Sequence, residues 1–357
     1  MASTAPKQSI VGLHYLRALA TVLVVVNHSI DTASFPKYFG PGALTSFFEG
    51  GAGEIDFFFI MSGLIMVSSS TDKVTGQPKL TAGQFLRRRA ERVIPMLWFA
   101  VILFNIALFS AFGRVDVMGS LRAVSFWPVG DVVPFVAWTI RYEVVFYLVF
   151  SLCFLWQPRL WPLMLLWCGA SLARFMLGDG VSFDDGSFVG FLFSPYNIEF
   201  GFGILIGLAM RRWRGMVELP GQLTILIVLV LGLRAVVQIF DLRMGSLAMI
   251  LSIAPLTIGI TLIAAYTTPP RVSRLMMALG DASYSIFLLH PIFMSPILLL
   301  LTKIAPGMTT SYAALTTAVI STALGYWGHV AVEKRLAKIP WSSLLSPATG
   351  SRDPSAP

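Results

Sequence analysis

Ten long apolar stretches dominate this chain and leave few folds open to it. Each is close to the roughly 20 residues that a helix needs to cross the hydrocarbon core of a bilayer. Hydrophobic residues make up 56% of the 357 positions and charged residues only 12%, which excludes an ordinary soluble domain. We therefore predict an all-α fold, a polytopic transmembrane helical bundle with about ten spanning helices. The stretches lie near residues 11–30, 52–70, 93–113, 135–155, 160–177, 193–211, 222–240, 246–266, 283–304 and 311–333.

Lysine and arginine are distributed unevenly between the two sets of loops in such a bundle. With the amino terminus in the cytoplasm, seventeen of these residues fall in cytoplasmic tails and loops. Five fall on the other side, namely Lys37, Arg114, Arg122, Arg243 and Lys303. The positive-inside rule therefore predicts that both termini are cytoplasmic. The same asymmetry accounts for most of the net charge of +8, so we expect no nucleic-acid partner.

The domain organisation is predicted to be simple. One membrane domain is expected over residues 1–340, followed by a short disordered cytoplasmic tail over 341–357 that is rich in Ser and Pro. The two cysteines, Cys153 and Cys168, fall inside predicted spans and are expected to be buried small hydrophobes. The four histidines have no ligand-like spacing, so no metal site is expected.

The first apolar stretch carries two ionisable side chains, Arg17 and His28. Eleven residues on an α-helix turn through about 1100° and rise roughly 16 Å, so both side chains lie on one face near opposite ends of a spanning helix. An ionisable group inside a membrane span is costly and usually faces a polar cavity that has a function. A guanidinium nearer the cytoplasm suits a phosphate, and an imidazole nearer the outside suits proton or acyl transfer.

The cytoplasmic segment before the third stretch contains Arg89 and Arg92. Because they stand three positions apart, their guanidinium groups lie on one helix face, one turn apart. Arginine is always charged and binds phosphate bidentately, so the pair predicts a phosphate site at the membrane surface. The alternative is a stop-transfer anchor that contacts lipid phosphates.

The second stretch combines glycines with a hydroxyl group. Gly51, Gly53 and Gly63 are predicted to let neighbouring helices approach closely. Ser62 has no Gly-x-Ser-x-Gly context, so we expect it to pack or to line a substrate rather than to act as a nucleophile.

The fourth stretch places Arg141 and Glu143 in the outer part of the membrane. Two positions on a helix differ by about 200°, so these side chains cannot pair with each other. His28 is the partner we consider for Glu143, because a carboxylate bonded to one ring nitrogen fixes the tautomer and raises the basicity of the other nitrogen. The alternative is an interfacial Glu143 that reaches water.

Further polar residues collect in the outer halves of the predicted spans. They suggest a polar cleft that opens outward and accepts a hydroxyl-rich molecule. The residues assigned to this acceptor cleft are Asp31, Asp56, Arg141 and Glu199. Arg234 and Asp241, seven positions apart, fit either the cleft or a structural salt-bridge network.

The end of the chain holds the remaining candidates. Asp281 and Ser283 are interpreted as helix-start residues. His290 falls in mid-membrane and is interpreted as a packed, hydrogen-bonded histidine, with catalysis as the alternative. His329, near Glu333, is interpreted as structural.

Taken together, these residues resemble the acyltransferase-3 family of bacterial integral membrane O-acyltransferases, especially its exopolysaccharide-modifying members. The resemblance covers roughly residues 10–335. The motifs that carry it, in chain order, are Arg17 with ten residues before His28, GAGEIDFFFIMSG, Arg89-x-x-Arg92 followed by Ile94-Pro95, the segment Trp138…Glu143…Phe146-Tyr147, and GDASYSIFLLHP.

The resemblance implies transfer of an acyl group, commonly acetyl, from cytoplasmic acyl-CoA to a hydroxyl of an extracytoplasmic polysaccharide or lipid-linked glycan. It implies His28 and Glu143 as catalytic residues and Arg17, Arg89 and Arg92 as acyl-CoA-binding residues. The implied partners are acyl-CoA, the glycan and the lipid bilayer of a bacterial inner membrane. Acetyl-CoA enters as donor substrate, and no bound cofactor is expected.

Two questions stay open at the level of sequence. His28 could act as a general base on the sugar hydroxyl, or it could carry the acyl group as an acyl-imidazole. The alternative function is a transporter or flippase for a lipid-linked sugar, which would use the same outward cleft without CoA. Such a transporter would favour broken helices in matching halves, and we find no such halves in the sequence.

Overall fold

The computed structural model describes residues 10–48, 54–72, 78–155, 160–177, 186–212, 215–239, 247–339 and 341. Within these residues the chain is helical almost throughout, which confirms the all-α, polytopic helical fold. In chain order the helices are α1 (Val11–Ala33), α2 (Thr45–Phe48), α3 (Glu54–Ser70), α4 (Ala82–Phe112), α5 (Val117–Val124), α6 (Trp138–Leu155), α7 (Leu160–Leu177), α8 (Phe188–Leu192), α9 (Tyr196–Arg212), α10 (Gln222–Ile239), α11 (Leu247–Tyr266), α12 (Arg274–Ile304), α13 (Thr310–Gly328) and α14 (Lys334–Leu336).

Each predicted apolar stretch coincides with one long helix in the described part of the chain. Among the described residues, five segments are long and apolar enough to cross a bilayer by length and composition, namely Val11–Ala33, Ala82–Phe112, Phe135–Leu152, Phe188–Met210 and Arg274–Ile304. Shorter apolar helices are found at Met164–Leu177, Gln222–Val237 and Ile253–Tyr266. The chain is therefore a membrane protein built from several apolar helices.

Small elements connect these helices. A 3-10 turn at Phe135–Ala137 leads directly into α6, and a π-helical turn at His329–Glu333 joins α13 to α14. Two short strands, Val217–Glu218 and Thr267–Thr268, pair in parallel with Val217 opposite Thr267.

Two helices begin well before their apolar stretches. The hydroxyl of Thr81 accepts from the backbone N–H of Gln84, and the Gln84 side chain accepts from the Thr81 N–H, so a capping box starts α4. Ser273 caps α12 by accepting from the N–H of Met276 at 3.4 Å. The prediction that Asp281 and Ser283 start a helix is therefore wrong, since both lie inside α12.

The helices have two distinguishable ends. At the start of α1, the Tyr15 hydroxyl accepts from the backbone N–H of Ser273, just before α12. Beyond the end of α1, the Thr310 hydroxyl donates to the carbonyl of Gly40. Accordingly, α1 and α12 run parallel. We call the end with the starts of α1 and α12 the basic end, because Arg17, Arg89 and Arg92 line one cavity near it. The opposite end is called the far end.

Helix α1 lies at the centre of the packing, against α12, α13, α3 and α11. The closest helix pair is α3 with α9, where glycines replace larger side chains at the contact. Gly63 is one of them, as predicted, whereas Gly51 and Gly53 lie outside the described residues. The division at residue 340 stays a prediction, because the predicted tail, apart from Trp341, also lies outside them.

Candidate active site

A cavity of about 840 Å³, including its open mouth, lies between α1, α3, α4, α6 and α12. Along α3 its wall extends from Ile55 to Met66, eleven residues or about 16 Å. The cavity is polar toward the basic end and apolar toward the far end. It is the central feature of the candidate site, because most of the predicted donor-side residues line it.

Three arginines line the polar part of the cavity: Arg17, Arg89 and Arg92. Arg17 donates from Nη2 to the Ser283 hydroxyl on α12 at 2.7 Å. Arg89 donates to the Ser69 hydroxyl at 3.1 Å, and its guanidinium packs over aromatic rings of α4 and α6. These contacts orient the guanidinium groups and make the cavity suited to an anionic ligand.

Glu143 is the one carboxylate among the residues described as lining this cavity. Its Oε1 accepts a hydrogen bond from the Ser62 hydroxyl at 3.1 Å and another from the Tyr147 hydroxyl. Ser62 therefore lines the cavity, one of the two roles that the sequence suggested. These two hydrogen bonds hold Glu143 in the wall of the cavity that Arg17, Arg89 and Arg92 also line.

His28 pairs with His290 and not with Glu143, which overturns the pairing considered from the sequence. His28 Nδ1 lies 2.9 Å from His290 Nε2, and the two rings are nearly parallel. The physical reason is the position of α12, which packs along α1 and presents His290 at the level of His28. The prediction that Arg17 and His28 share one face is confirmed, because both contact α12.

Hydrogen bonds assign the tautomers of this histidine pair. His290 Nδ1 lies 3.1 Å from the carbonyl oxygen of Ile286, which can only accept, so this nitrogen carries the proton. His290 Nε2 is then an acceptor, and His28 Nδ1 donates to it. In the neutral pair, His28 Nε2 is left unprotonated. The arrangement can therefore supply a base or a nucleophile at that atom.

An apolar layer separates the cavity from the histidine pair. Val24, Val136 and Phe287 pack together, with Ile55 and Phe58 against them. Phe287 lines the cavity on one side, and its ring centroid lies 6.0 Å from that of His290 on the other. The pair thus lies beyond the end of the cavity, and His28 is half-buried there against the ring of Phe135.

Two of the residues assigned to an acceptor cleft are buried together. Asp56 on α3 and Glu199 on α9 are 5% and 8% exposed, and their carboxyl groups hydrogen-bond each other. Neither is among the residues that line the cavity described above. The expected outward-opening cleft therefore does not include them, because the tight α3–α9 contact closes over both.

Arg141 is also buried, and its guanidinium binds backbone carbonyl groups of this chain instead of lining an open cleft. Its Nη1 donates to the carbonyl oxygens of Trp127 at 3.0 Å and Gly130 at 2.8 Å. That segment leads to the 3-10 turn carrying Phe135, which packs on His28. Arg141 thereby positions the wall next to the histidine pair.

Asp31 alone of these four residues is exposed, and it lies one turn beyond His28 on α1. Near it, the buried side chains of Arg234 and Glu54 form an ion pair at 3.6 Å. Arg234 is therefore part of a buried salt bridge with Glu54, while its predicted grouping with Asp241 stays a prediction. Asp241 lies outside the described residues.

Sequence reasoning interpreted His290 as a packed histidine with catalysis as the alternative and Ser283 as a helix-start residue, and it did not single out Phe287. Ser283 and His290 stand seven apart, two helical turns, which matches one face of α12. That spacing was the available signal, because it places Ser283 and His290 on one helix face, as the eleven-residue spacing does for Arg17 and His28 on α1. Phe287 lies between them and has no distinguishing signal in an aromatic-rich chain. His329 contacts Glu333 at 2.7 Å at the basic end, consistent with its structural interpretation.

Comparison with known proteins identifies the family of this chain. A family model described as an acyltransferase domain matches residues 10–328. The chain is also 30% identical over 259 residues to the exopolysaccharide production protein ExoZ of Rhizobium meliloti (strain 1021), covering 68% of this chain and 76% of that protein. No solved structure matches the chain. The chain therefore belongs to the acyltransferase-3 family of membrane acyltransferases, and the match includes the whole cavity and both histidines.

Proposed function

We propose that this protein transfers an acyl group, acetyl in the simplest case, from acyl-CoA to a hydroxyl of an exopolysaccharide or lipid-linked glycan. The observation that carries the proposal is the cavity in which Arg17, Arg89 and Arg92 converge at the basic end, with His28 beyond its apolar end. The likeness to ExoZ supports an exopolysaccharide as acceptor.

Arginines at the basic end would hold the donor. Arg89 and Arg92 lie at the mouth and would bind the CoA phosphates through charge-assisted hydrogen bonds. Arg17 lies further in, held by Ser283, and would guide the thioester arm toward the apolar end. The positive-inside distribution supports a cytoplasmic basic end and cytoplasmic termini in a bacterial inner membrane, which is where acyl-CoA is available.

His28 Nε2 would act on the acceptor. It takes the proton of the sugar hydroxyl as that oxygen attacks the thioester carbonyl. The tetrahedral intermediate collapses, the carbon–sulfur bond breaks, and the CoA thiolate receives the proton from His28. In the alternative route, the same nitrogen attacks the thioester and expels the CoA thiolate; the sugar hydroxyl then attacks the acyl-imidazole, the carbon–nitrogen bond breaks, and the hydroxyl proton passes through His28 to the thiolate. Neither route needs a metal or a bound cofactor.

Glu143 would help to position the acyl donor, and Asp31 would help to bind the glycan acceptor. Glu143, fixed by Ser62 and Tyr147, would balance part of the arginine charge and position the donor arm. Asp31, exposed one turn from His28, would accept hydrogen bonds from sugar hydroxyls. The buried Asp56, Glu199 and Arg141 would act by holding helices and loops around the acceptor side.

The test is release of free CoA thiol by purified protein in nanodiscs, supplied with acetyl-CoA with and without candidate polysaccharide. We expect release that rises with acceptor and is lost in His28→Gln. His329→Gln is the matched control, since His329 binds Glu333 at the basic end and should keep activity. Folded protein that neither binds acetyl-CoA nor releases thiol with any acceptor would contradict the proposal and favour the transporter alternative.

A further inference from the structure

We propose that Phe287 is the specificity-determining residue for acyl chain length in this enzyme. The inference rests on the proposed function and adds to it a reason why the transferred group is short. Phe287 belongs to the apolar layer of Val24, Val136 and Phe287. This layer lies between the arginine-lined cavity and the histidine pair. Phe287 is the member of that layer that both lines the cavity and contacts His290.

The order of side chains along α12 supports this assignment. Ser283, which binds Arg17, comes first from the basic end; Phe287 follows about 6 Å further along the helix axis, and His290 about 4.5 Å beyond that. A thioester that enters past Arg17 must therefore meet the level of Phe287 before it reaches the level of the histidines. The acyl chain at its tip has to fit at that level.

The walls at that level leave little room. Phe287 is 7% exposed, and its ring centroid lies 5.9 Å from that of Phe58 on α3. Ile55 and Ile140 line the same end of the cavity. These side chains carry no hydrogen-bonding groups, and the hydroxyl of Thr139 beside them already donates to the carbonyl of Val136. This lining suits the methyl of an acetyl group and disfavours a charged acyl terminus such as that of succinyl. Each added methylene would have to displace the Phe287 ring from this packing.

The test compares acetyl-, butyryl- and hexanoyl-CoA as donors for wild type, Phe287→Ala, Phe287→Leu and Phe287→Trp. We expect wild type to favour acetyl-CoA in kcat/KM. Phe287→Ala should raise the hexanoyl-to-acetyl ratio by at least ten-fold, since one methylene in an apolar pocket already changes specificity by about ten-fold or more. Phe287→Trp should lower the butyryl-to-acetyl ratio. Phe293→Ala, on the same helix but not in the cavity lining, is the matched control and should keep the wild-type ratios.

The outcomes separate the two proposals. Wild type without His28-dependent transfer from acetyl-CoA would mean that the proposed function itself fails. An active wild type whose donor ratios are unchanged in Phe287→Ala would overturn only the assignment of Phe287. Should the alanine variant not fold, Phe287→Leu and Phe287→Trp decide, because they widen and narrow the same space with smaller changes in packing.

Discussion

At the scale of single residues, the state of His28 depends on two hydrogen bonds in series. The carbonyl of Ile286 orients His290, and His290 in turn accepts the Nδ1 proton of His28. A catalytic imidazole held in this way keeps its other nitrogen free, a role that a carboxylate performs in many enzymes. Under the proposed function, the ring of His290 takes this role for His28.

Removing this acceptor should slow catalysis more than binding. In His290→Ala we expect kcat to fall by about 10²-fold, because the tautomer and orientation of His28 are no longer held, while KM for acetyl-CoA stays close to wild type. His290→Gln keeps an acceptor oxygen and should restore part of the rate. Steady-state kinetics on the three proteins check this. A loss confined to KM would contradict the positioning role.

Arg89 and Arg92 can be tested as the phosphate site. In Arg89→Ala/Arg92→Ala we expect the affinity for CoA to fall by about 10²-fold or more, since each hydrogen bond to a charged group contributes about 1.5–3 kcal/mol. Calorimetry with CoA measures this. Arg87→Ala/Lys338→Ala removes the same charge from exposed positions outside the cavity lining and should leave affinity unchanged. Equal affinities in both double variants would remove the arginines from the site.

Glu143 gives a separate prediction on the donor side. Glu143→Gln can still accept from Ser62 and Tyr147 but lacks the negative charge. We expect slower acyl transfer, by about 10-fold or more, with little change in CoA affinity. Transfer rates under saturating acetyl-CoA check this, and wild-type rates would exclude Glu143 from the mechanism.

Residue patterns predicted part of this site for a physical reason. The shared face of Arg17 and His28 follows from helix periodicity alone, and so does that of Arg89 and Arg92. The partner of His28 does not follow, because it depends on which helices become neighbours and how each is rotated. Glu143 and His290 are both suitable partners on chemical grounds, and only the packing of α12 against α1 selects His290.

At the scale of helices, backbone contact between α3 and α9 is the tightest element of the bundle. A side-chain carbon at Gly203 would lie 2.0 Å from the carbonyl oxygen of Ile60, and one at Gly63 would lie 2.3 Å from that of Phe200. Glycine alone permits this approach. The contact fixes α3, which carries Ser62, Phe58 and Ile55 into the cavity wall.

A methyl group at this contact should force the two helices apart. We expect Gly203→Ala to destabilise the protein by about 1–3 kcal/mol, which would lower Tm in a detergent thermal-shift assay. Gly232→Ala, on α10 with open space around it, is the control and should leave Tm unchanged or slightly higher. Equal melting temperatures in the two variants would contradict the close-packed contact.

Helix positions followed from the sequence better than helix ends did. Apolar runs predicted where the long helices lie, because burial in lipid demands them. The starts of α4 and α12 did not follow, because charged or helix-disfavouring residues separate their first turns from the long apolar run: the arginines at 87–89 and 92 in α4, and Gly280-Asp281 in α12. Hydrophobicity does not report on such turns, and capping residues such as Thr81 and Ser273 are the local signal.

At the scale of the whole molecule, the bundle places the three cavity arginines and the histidine pair toward opposite ends. The arginine-lined mouth lies toward the basic end, and His28 with Asp31 lies toward the far end. The apolar layer of Val24, Val136 and Phe287 lies between them. Under the proposed function, the acyl group crosses from the arginine-lined mouth to His28 through this layer.

This crossing can be measured in sealed proteoliposomes with polysaccharide inside and radiolabelled acetyl-CoA outside. We predict label on the enclosed polysaccharide, lost in His28→Gln and kept in His329→Gln, with no labelling of polysaccharide that is instead added outside. Label on the outside polysaccharide and none on the enclosed polysaccharide would contradict transfer across the bundle.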